Sequence, residues 1–461
     1  MTDMKNKDLQ MAHEIALRVQ EAGGSTYFVG GCVRDKLMGM ENKDIDIEIH
    51  GISPEKLGEI LDGLGKRTEM GASFGIYGLR GYGLDIAMPR KEEATGRGHK
   101  DFAVYVDPYL GTYKAALRRD FTMNALMEDV LTGKVVDHFG GIEDLHKGVL
   151  RHVNSDTFVE DPLRVLRAAQ FSARFGFSVA DETIALAKTM DLSALASERI
   201  MGELEKALLK AERPSVFFSE MRRMDQLDVW FPELKALIGV KQNPATHPEG
   251  DVWTHTMMVL DQAALRRNEA SSAIDLMMAA LCHDMGKSTA TRMTPKGLRA
   301  IDHEKEGVPL AKTFVSRLTT EVQLNKYVLN MVKMHMRPHQ LGRDRSSFAA
   351  TNRMFDDSVA PGDLLLLSFS DRMGRDRAVR DEAEEAFLRD RLKLYQDIMA
   401  RPCVMGADLV RAGLRPGPAF SDVLAFAHDL HLSGVEKEKA LPQVLAYARE
   451  KGISPENGTT G

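Results

Sequence analysis

The chain has 461 residues, 43% of them hydrophobic and 28% charged, which is typical of a globular protein with two or three domains rather than one core. The formal net charge of −6 argues mildly against a nucleic-acid-binding protein, which normally carries a net positive charge. It does not exclude one, because phosphate recognition depends on a local basic groove.

Several other classes are disfavoured by simple features. No apolar run approaches the length of a bilayer-spanning helix, and the charged N-terminal segment, residues 1–20, is unlike a secretory signal. The three cysteines, Cys32, Cys282 and Cys403, lie far apart and form no CxxC pair, which argues against a disulfide framework and a cysteine-based zinc site. We therefore expect a soluble cytoplasmic protein with reduced thiols and no membrane partner, and we infer no protein partner.

Short strand-like runs open the chain, from Thr26 to about Asp137. They are separated by glycine-rich turns and helical patterns, and they read TYFVG, DIDIEI, IYGLR, LDIAM and FAVYV. This mixture predicts an α/β head over residues 1–140.

The remainder of the chain has helical patterning. Apolar residues at three- and four-residue spacing predict an all-helical neck over residues 141–240. The polar, proline-bearing segment GVKQNPATHPEGD predicts a boundary before a second all-helical domain over residues 241–385. A helical tail over residues 386–461 follows, and we expect its end, SPENGTTG, to be disordered. The predicted fold class is therefore α+β and multidomain.

Carboxylates converge on one strand of the head. In DIDIEI, Asp44, Asp46 and Glu48 share one face, while isoleucines occupy the other. Like charges on one face repel unless they face water or share a cation. Taken alone, the carboxylates of this strand are equally well explained by a half-exposed edge strand whose polar face meets water. Asp85, within LDIAM, is a third acid that would complete a carboxylate triad around divalent ions.

Two further motifs provide groups for phosphate binding. In GGCVRD, Gly30 and Gly31 end a strand and let a backbone approach phosphates, with Arg34 close by. LRRDFTMNAL places Arg118, Arg119 and Asp120 ahead of a helical pattern, and its two arginines offer guanidinium groups for a triphosphate or an RNA backbone. The alternative for this second motif is a solvated charge cluster.

The motifs GGCVRD, DID and RRDFTMNAL, in this order and spacing, resemble the class II tRNA nucleotidyltransferase and bacterial poly(A) polymerase family of the polymerase β superfamily. The resemblance continues through EDPLRVLRAAQFSARFGF and ERIMGEL. It implies a polymerase β-like head in which Asp44 and Asp46 bind two Mg²⁺ ions that activate the RNA 3′ hydroxyl and stabilise the departing pyrophosphate. Asp85 is the implied third acid.

The resemblance also implies roles for the other motif residues. Those of GGCVRD would cradle the triphosphate, and those of LRRD would position the nucleotide and its sugar. In the neck, Asp161 and Arg164 match the family's base-reading element and would pair with cytosine or adenine edges, without a nucleic-acid template. Asp161 before Pro162 is also the usual pattern of a helix N-terminus, and the two roles coexist only if the two carboxylate oxygens are shared.

CCA addition and poly(A) synthesis share these motifs. Only 29 residues of mixed charge precede Gly30, whereas bacterial poly(A) polymerases carry a longer basic segment, so we favour CCA addition to the tRNA 3′ end from CTP and ATP. The segment PRKEEATGRGHKDFAVY resembles the loop needed to switch from C to A, which disfavours a CC-only enzyme. An A-adding enzyme and a poly(A) polymerase remain alternatives.

Histidines and aspartates recur in the second helical region. Considered alone, each of these side chains is more often a hydrogen-bonded polar residue than a metal ligand. The ordered set resembles the HD superfamily of metal-dependent phosphohydrolases, and its members are His255, His283, Asp284 and Asp371. His303 and His335 would support a second ion. Imidazole with carboxylate suits a transition metal such as Ni²⁺ or Mn²⁺, or Mg²⁺.

The resemblance implies an activity for this domain. Some bacterial CCA-adding enzymes carry an HD domain with 2′,3′-cyclic phosphodiesterase and phosphatase activity. The alternatives are a helical domain that mainly holds tRNA, a phosphohydrolase whose transferase head is inactive, and an RNA-binding scaffold. Their products differ, because a transferase releases pyrophosphate, a hydrolase releases phosphate and a scaffold releases neither.

Overall fold

The computed structural model describes residues 2–41, 44–69, 76–94, 102–418 and 420–453. The chain divides into two compact units, Met1–Ala211 with Val216–Trp230 and Glu212–Ser215 with Phe231–Gly461. Among the described residues, no helix is long and apolar enough to cross a membrane. The tail SPENGTTG and the middle of the predicted C-to-A loop, residues 95–101, lie outside the described residues.

Nine strands lie in the described part of the head. They are β1 (Ser25–Val29), β2 (Ile45–His50), β3 (Arg67–Glu69), β4 (Ile76–Leu79), β5 (Leu84–Ala87), β6 (Arg90–Ala94), β7 (Phe102–Val106), β8 (Met127–Asp129) and β9 (Val135–Val136). Seven form one sheet in the order β3-β4-β5-β2-β1-β8-β9, while β6 and β7 pair with each other. Within the sheet, β2 and β5 are parallel and the other neighbours are antiparallel. The five predicted strands are confirmed.

Alternation along β2 determines which face carries chemistry. Ile45, Ile47 and Ile49 are almost fully buried in a core that also contains Ile15 of the first helix and Leu57. Burial of each isoleucine stabilises the fold by about 1.5–3 kcal/mol. A one-residue slip in register would move these isoleucines out of the core, so the hydrophobic face fixes the position of the carboxylates on the other face.

Helices complete the first unit. They are α1 (Thr2–Glu21), α2 (Gly31–Leu37), α3 (Pro54–Asp62), α4 (Thr112–Leu117), α5 (Gly141–Lys147), α6 (Ser155–Phe158), α7 (Leu163–Phe175), α8 (Asp181–Ala187), α9 (Ser197–Lys210) and α10 (Ser215–Arg223). A short 3₁₀ helix spans Thr122–Asn124, and two short strands, β10 (Val149–Leu150) and β11 (Ser178–Val179), pair in parallel. Helices α7 and α9 pack against each other beside the head sheet's motif residues.

The second unit is largely helical. Its helices are α11 (Pro232–Lys235), α12 (Val252–Arg266), α13 (Ala273–Cys282), α14 (Lys287–Ala290), α15 (His303–Leu318), α16 (Val322–Met334), α17 (Met336–Arg343), α18 (Phe348–Asp356), α19 (Pro361–Met373), α20 (Glu382–Met399), α21 (Gly406–Arg411), α22 (Phe420–Leu432) and α23 (Lys437–Glu450). A 3₁₀ turn spans Arg267–Glu269. The α+β multidomain class is confirmed; a hairpin of β12 (Thr291–Thr294) and β13 (Gly297–Ala300) is an addition that the sequence patterning did not predict.

Two glycines let segments of the second unit approach closely. A Cβ at Gly286 would lie 2.0 Å from the carbonyl oxygen of His303, and a Cβ at Gly374 would lie 2.7 Å from the backbone nitrogen of Val259. A side chain at either position would overlap backbone atoms. These contacts bring the end of α13 to the start of α15, and the end of α19 to α12.

Candidate functional sites

Asp46 and Asp85 are aligned across the parallel strands β2 and β5. Parallel neighbours in register point to the same face of a sheet, so the two carboxylates share one environment. Burial raises the pKa of Asp46, and the charges of Asp85 and Asp44 raise it further, against the opposing effect of Arg119. Asp44 itself is exposed just before β2. Such a group of carboxylate oxygens suits a hard divalent cation.

Glu48, the third acid of the motif on this strand, has other partners. Its Oε1 lies 2.9 Å from Nε2 of His50, and its Oε2 accepts a hydrogen bond of 3.2 Å from Arg119. Burial alone would raise the pKa of Glu48, but the hydrogen bond from His50 and the charge of Arg119 hold it below its usual value. The three acids therefore divide: Asp46 lies opposite Asp85, Asp44 precedes the strand, and Glu48 orients an arginine.

A basic cleft of about 520 Å³ begins at Asp46 and follows the first unit's helices α2, α7 and α9. Besides Gly30 and Gly31, nine cationic side chains line it against three acidic ones, Asp46, Asp120 and Asp161. The cations are Arg34, Arg118, Arg119, Arg164, Arg167, Arg174, Arg199, Lys206 and Lys210. This local excess of positive charge, within a chain of net charge −6, is the basic groove whose position the sequence left open.

A hydrogen-bonded network fixes the arginines at the base of this cleft. Arg34 donates to Asn124 over 2.7 Å, and Asn124 in turn donates to Asp120 over 2.9 Å. Asp120 also accepts a 2.7 Å hydrogen bond from Arg167. Burial would raise the pKa of Asp120, but the charge of Arg167 and these hydrogen bonds lower it. Asp120 thus holds side chains in place, and the sequence analysis missed its partners Asn124 and Arg167.

The neck pair is also engaged within the protein. Asp161 accepts hydrogen bonds from the backbone of Leu163 over 3.1 Å and from Arg199 over 2.8 Å. Arg164 donates to the carbonyl oxygens of Thr157 and Arg118, over 2.6 and 2.8 Å. Asp161 thus accepts a backbone N–H at the start of α7, but the N-cap position is Pro162, one residue later than the sequence pattern indicated. Both side chains line the cleft.

All six predicted HD residues converge in the second unit, each buried. His255, His283 and Asp371 form one group whose ligand atoms lie within 4.8 Å of one another, and Asp284, His303 and His335 form a second. The two groups adjoin: Nε2 of His255 lies 3.0 Å from Asp371 and 3.5 Å from Asp284. Two adjoining sets of nitrogen and oxygen donors are suited to divalent metal ions.

Three of the histidines have their tautomer set by the backbone. Nδ1 of His283 lies 2.7 Å from the carbonyl oxygen of Ala280, three residues earlier in the chain. His303 and His335 make the same contact, also three residues back, over 2.9 and 2.7 Å. Since a carbonyl only accepts, Nδ1 carries the proton and Nε2 directs a lone pair inward. Nε2 of His283 is buried and lies 3.2 Å from Oδ2 of Asp284, within the same cluster. These donors fit a metal ion.

Glu249 orients the fourth histidine. Its Oε1 lies 2.9 Å from Nδ1 of His255 and 2.8 Å from Nδ1 of His247. Burial opposes ionisation of Glu249, but its contacts with these histidines and with backbone donors lower its pKa to about 2. A carboxylate behind a metal-binding histidine is a common orienting arrangement. The segment HPEGD, which contains Glu249, was interpreted from the sequence only as a domain boundary. Its place immediately before α12, the helix that carries His255, was the available signal for a role at the metal site.

A cleft of about 350 Å³ opens beside the HD residues. At its wall, Nζ of Lys287 lies 2.6 Å from Asp284 and donates to Gln242 over 2.8 Å. Burial would raise the pKa of Asp284, but the charges of Lys287 and His283 hold it well below its usual value. Lys287 follows the His-Asp pair in HDMGK and was also missed by the sequence analysis.

Comparison with known proteins agrees with both sites. Residues 26–151 match the Poly A polymerase head domain family, and residues 252–376 match the HD domain family. The multifunctional CCA protein of Methylobacillus flagellatus is 39% identical over 328 residues, covering 70% of this chain and 76% of the relative. The chain belongs to the multifunctional CCA protein family. Another member, from Nitrosospira multiformis, is 38% identical over 321 residues, covering 68% of this chain and 74% of its own length.

Solved structures share the fold of this multifunctional CCA family member. The Thermotoga maritima CCA-adding enzyme complexed with tRNA is 22% identical and gives a TM-score of 0.63 over 95% of each chain. A CCA-adding enzyme in complex with ATP gives 0.67 at 22% identity, over 97% of this chain and 96% of its own. The chain is thus a nucleotidyltransferase with an HD domain. Both kinds of domain are metal-dependent, and the HD domain of this chain offers candidate metal-binding clusters.

Proposed function

We propose that the chain adds or repairs the 3′-terminal CCA of tRNA from CTP and ATP, without a nucleic-acid template. The alignment of Asp46 with Asp85 at the mouth of a basic cleft is the observation that carries this proposal. CCA-adding enzymes of the same fold form complexes with tRNA, ATP and CTP. The cleft provides the positive field that a triphosphate and an RNA 3′ end require.

In the head, Asp44, Asp46 and Asp85 would hold two Mg²⁺ ions. The raised pKa of Asp46 supports this assignment, because a cation relieves the mutual repulsion of the carboxylates. Bound there, the ions would activate the RNA 3′ hydroxyl and stabilise the departing pyrophosphate. Arg119, oriented by Glu48, lines the same hollow as Asp46 and Asp85 and is placed to contact the triphosphate.

The other motif residues would bind the nucleotide. Gly30 and Gly31 let the backbone approach the phosphates beside Arg34. Arg118 would add a further guanidinium for the triphosphate. Asp120 would act indirectly, by holding Arg167 and the side chain that orients Arg34.

Base selection would fall to Asp161 and Arg164. Both line the cleft, and together they present an acceptor and donors, which is what the edges of cytosine and adenine require. Each now bonds to protein groups, so reading a base requires them to exchange those partners. Release of Asp161 from Arg199 is the exchange that exposes an acceptor.

In the HD domain, we propose a metal-dependent phosphohydrolase for 2′,3′-cyclic phosphates or phosphomonoesters. His255, His283, Asp284 and Asp371 would hold one ion, and His303 and His335 would join Asp284 around a second. The inward Nε2 lone pairs favour Ni²⁺ or Mn²⁺, with Mg²⁺ as the alternative. A bound ion would supply an activated water for attack on phosphorus.

One product analysis distinguishes the candidate functions. Wild-type protein, Asp44→Ala/Asp46→Ala and His283→Ala/Asp284→Ala are incubated with tRNA lacking its CCA end, CTP, ATP and Mg²⁺, and separately with a 2′,3′-cyclic nucleotide and Mn²⁺, Ni²⁺ or Mg²⁺. We expect the first double variant to lose pyrophosphate release and RNA lengthening alone, and the second to lose cyclic phosphate hydrolysis alone. Incorporation at the wild-type rate by Asp44→Ala/Asp46→Ala would refute the head assignment. Hydrolysis unchanged in the other variant would identify a contaminant.

A further inference from the structure

Arg375 occupies a fixed position at the HD cleft. It lies four residues after Asp371, in the turn that follows α19, and it lines the cleft together with Asp284, Asp371 and His303. The preceding Gly374 packs directly on the backbone of Val259. This close contact holds the turn against α12 and determines where the Arg375 side chain emerges.

The guanidinium of Arg375 is incompletely satisfied by protein groups. Its Nε is buried and has no hydrogen-bond partner among the described residues. Its Nη2 lies 3.9 Å from Oδ1 of Asp371, which is beyond hydrogen-bond length. Arg372 is in the opposite situation, since it donates to Glu384 over 2.7 Å and to Asp381 over 3.2 Å. Arg375 therefore has donors available for a group in the cleft.

The surrounding charges define what that group is. Lys241, Lys287 and Arg299 line the same cleft, so cationic side chains surround it together with the metal-binding acids. A planar guanidinium with spare donors matches a group that presents two acceptor oxygens and negative charge. A phosphate ester has such oxygens, and metal ions held by the HD residues would also bind it.

We propose that Arg375 is a catalytic residue of the HD domain that binds a non-bridging phosphate oxygen of the substrate; this rests on the proposed phosphohydrolase function. In hydrolysis of a 2′,3′-cyclic phosphate, the water oxygen forms a new bond to phosphorus and one P–O bond to the ribose breaks. The ribose oxygen takes up one proton of the water, and the other goes to the phosphate product or to solvent. Arg375 neutralises the charge that grows on the non-bridging oxygen.

The test compares Arg375→Gln and Arg375→Lys with Arg377→Gln. Arg377 lies in the same turn, its side chain is 89% exposed, and its substitution removes the same charge. For a 2′,3′-cyclic nucleotide with Mn²⁺, we expect kcat/KM to fall about 10- to 100-fold in Arg375→Gln, less in Arg375→Lys, and not in Arg377→Gln. Calorimetric titration of the Mn²⁺-loaded proteins with inorganic phosphate should rank their phosphate affinities in the same order, with Arg375→Gln the weakest. The Kd for Mn²⁺ should be the same in all of them.

Phosphate binding separates this proposal from the phosphohydrolase proposal. If the wild-type protein hydrolyses no phosphoester, the phosphohydrolase proposal fails, while weaker phosphate binding by Arg375→Gln still supports a phosphate contact. Equal phosphate affinities in Arg375→Gln and Arg377→Gln would overturn the inference. A parallel loss of Mn²⁺ affinity in Arg375→Gln would also overturn it, because Arg375 would then act through Asp371.

Discussion

Asp46 on β2 and Asp85 on β5 are directly paired across parallel strands, so two carboxylates share one face of the head sheet. Burial and the charge of Asp85 both raise the pKa of Asp46, which means that ionising both acids costs free energy in the protein alone. Arg119 offsets only part of this cost. A divalent cation bound between the acids, as proposed, would offset this repulsion.

Replacing Asp85 with Asn tests this relationship. Removal of one carboxylate weakens cation binding, so we expect nucleotide incorporation to fall about 100-fold or more. Without divalent cations the same variant should have a higher Tm than the wild type, because the repulsion is gone. Asp62→Asn, at the exposed end of α3, is the control. An Asp85→Asn protein with wild-type incorporation would exclude Asp85 from the cation site.

Asp120→Asn should lower stability and nucleotide binding together. The substitution leaves Arg167 without its carboxylate and weakens the hold on Asn124, at a cost of about 1–3 kcal/mol. The folded pKa of Asp120 is depressed, so its contribution is present above the unfolded value of about 3.9 and is lost as pH falls through the folded value. The Tm difference between variant and wild type should therefore be full at pH 7 and should shrink as the pH falls below about 3.9. A constant difference would contradict the ionised pair.

Glu249→Gln should weaken metal binding without removing a ligand. Its carboxylate lies behind His255, and loss of such an orienting group costs about 10- to 100-fold in metal affinity. Calorimetric titration of metal-stripped protein with Mn²⁺ or Ni²⁺ measures the Kd. Glu269→Gln, at an exposed carboxylate in the same unit, should leave the Kd unchanged. If the two variants bind metal equally well, Glu249 has no orienting role.

Gly286→Ala should separate the two activities. Its Cβ would lie 2.0 Å from the carbonyl oxygen of His303, so the start of α15 must move away from Asp284. Overpacking of this kind costs about 1–3 kcal/mol and disturbs the second group of ligands. We expect phosphoester hydrolysis by the HD domain and the metal affinity of that domain to fall, while tRNA extension by the head is retained. Gly417→Ala, where nothing lies within 4 Å, is the matched control. Unchanged hydrolysis in Gly286→Ala would show that this contact does not position His303.

The sequence predicted those features that depend on local pattern. Alternation along DIDIEI located β2 and its two faces, and the order of histidines and aspartates located six side chains that the fold brings together. Alternation alone did not separate Glu48 from Asp44 and Asp46, although the family resemblance named only the two aspartates. Arg119, the arginine that Glu48 holds, is distant in the chain. The shortest strands, such as β9, were missed because two residues carry no periodicity.

Residues whose orientation depends on tertiary contacts could not be identified from a single sequence. Glu249 and Arg375 stand in irregular segments, where no periodic pattern fixes the direction of a side chain. Their orientation comes from neighbouring elements, as when Gly374 packs on Val259 and so places Arg375. Asp120 was associated with the nucleotide because its motif is adjacent to arginines, but its hydrogen bonds run to Asn124 and Arg167.

Extension of defined tRNA transcripts tests the central claim most directly. Purified protein, Mg²⁺ and labelled CTP or ATP are combined with transcripts ending before the first C, after one C and after CC, and products are resolved at single-nucleotide resolution. The proposed function predicts addition of C, C and A to the shortest transcript, followed by a stop. An A-only product confined to the CC-ended transcript would make the protein an A-adding enzyme, and a long adenylate ladder would make it a poly(A) polymerase; either result would contradict CCA synthesis.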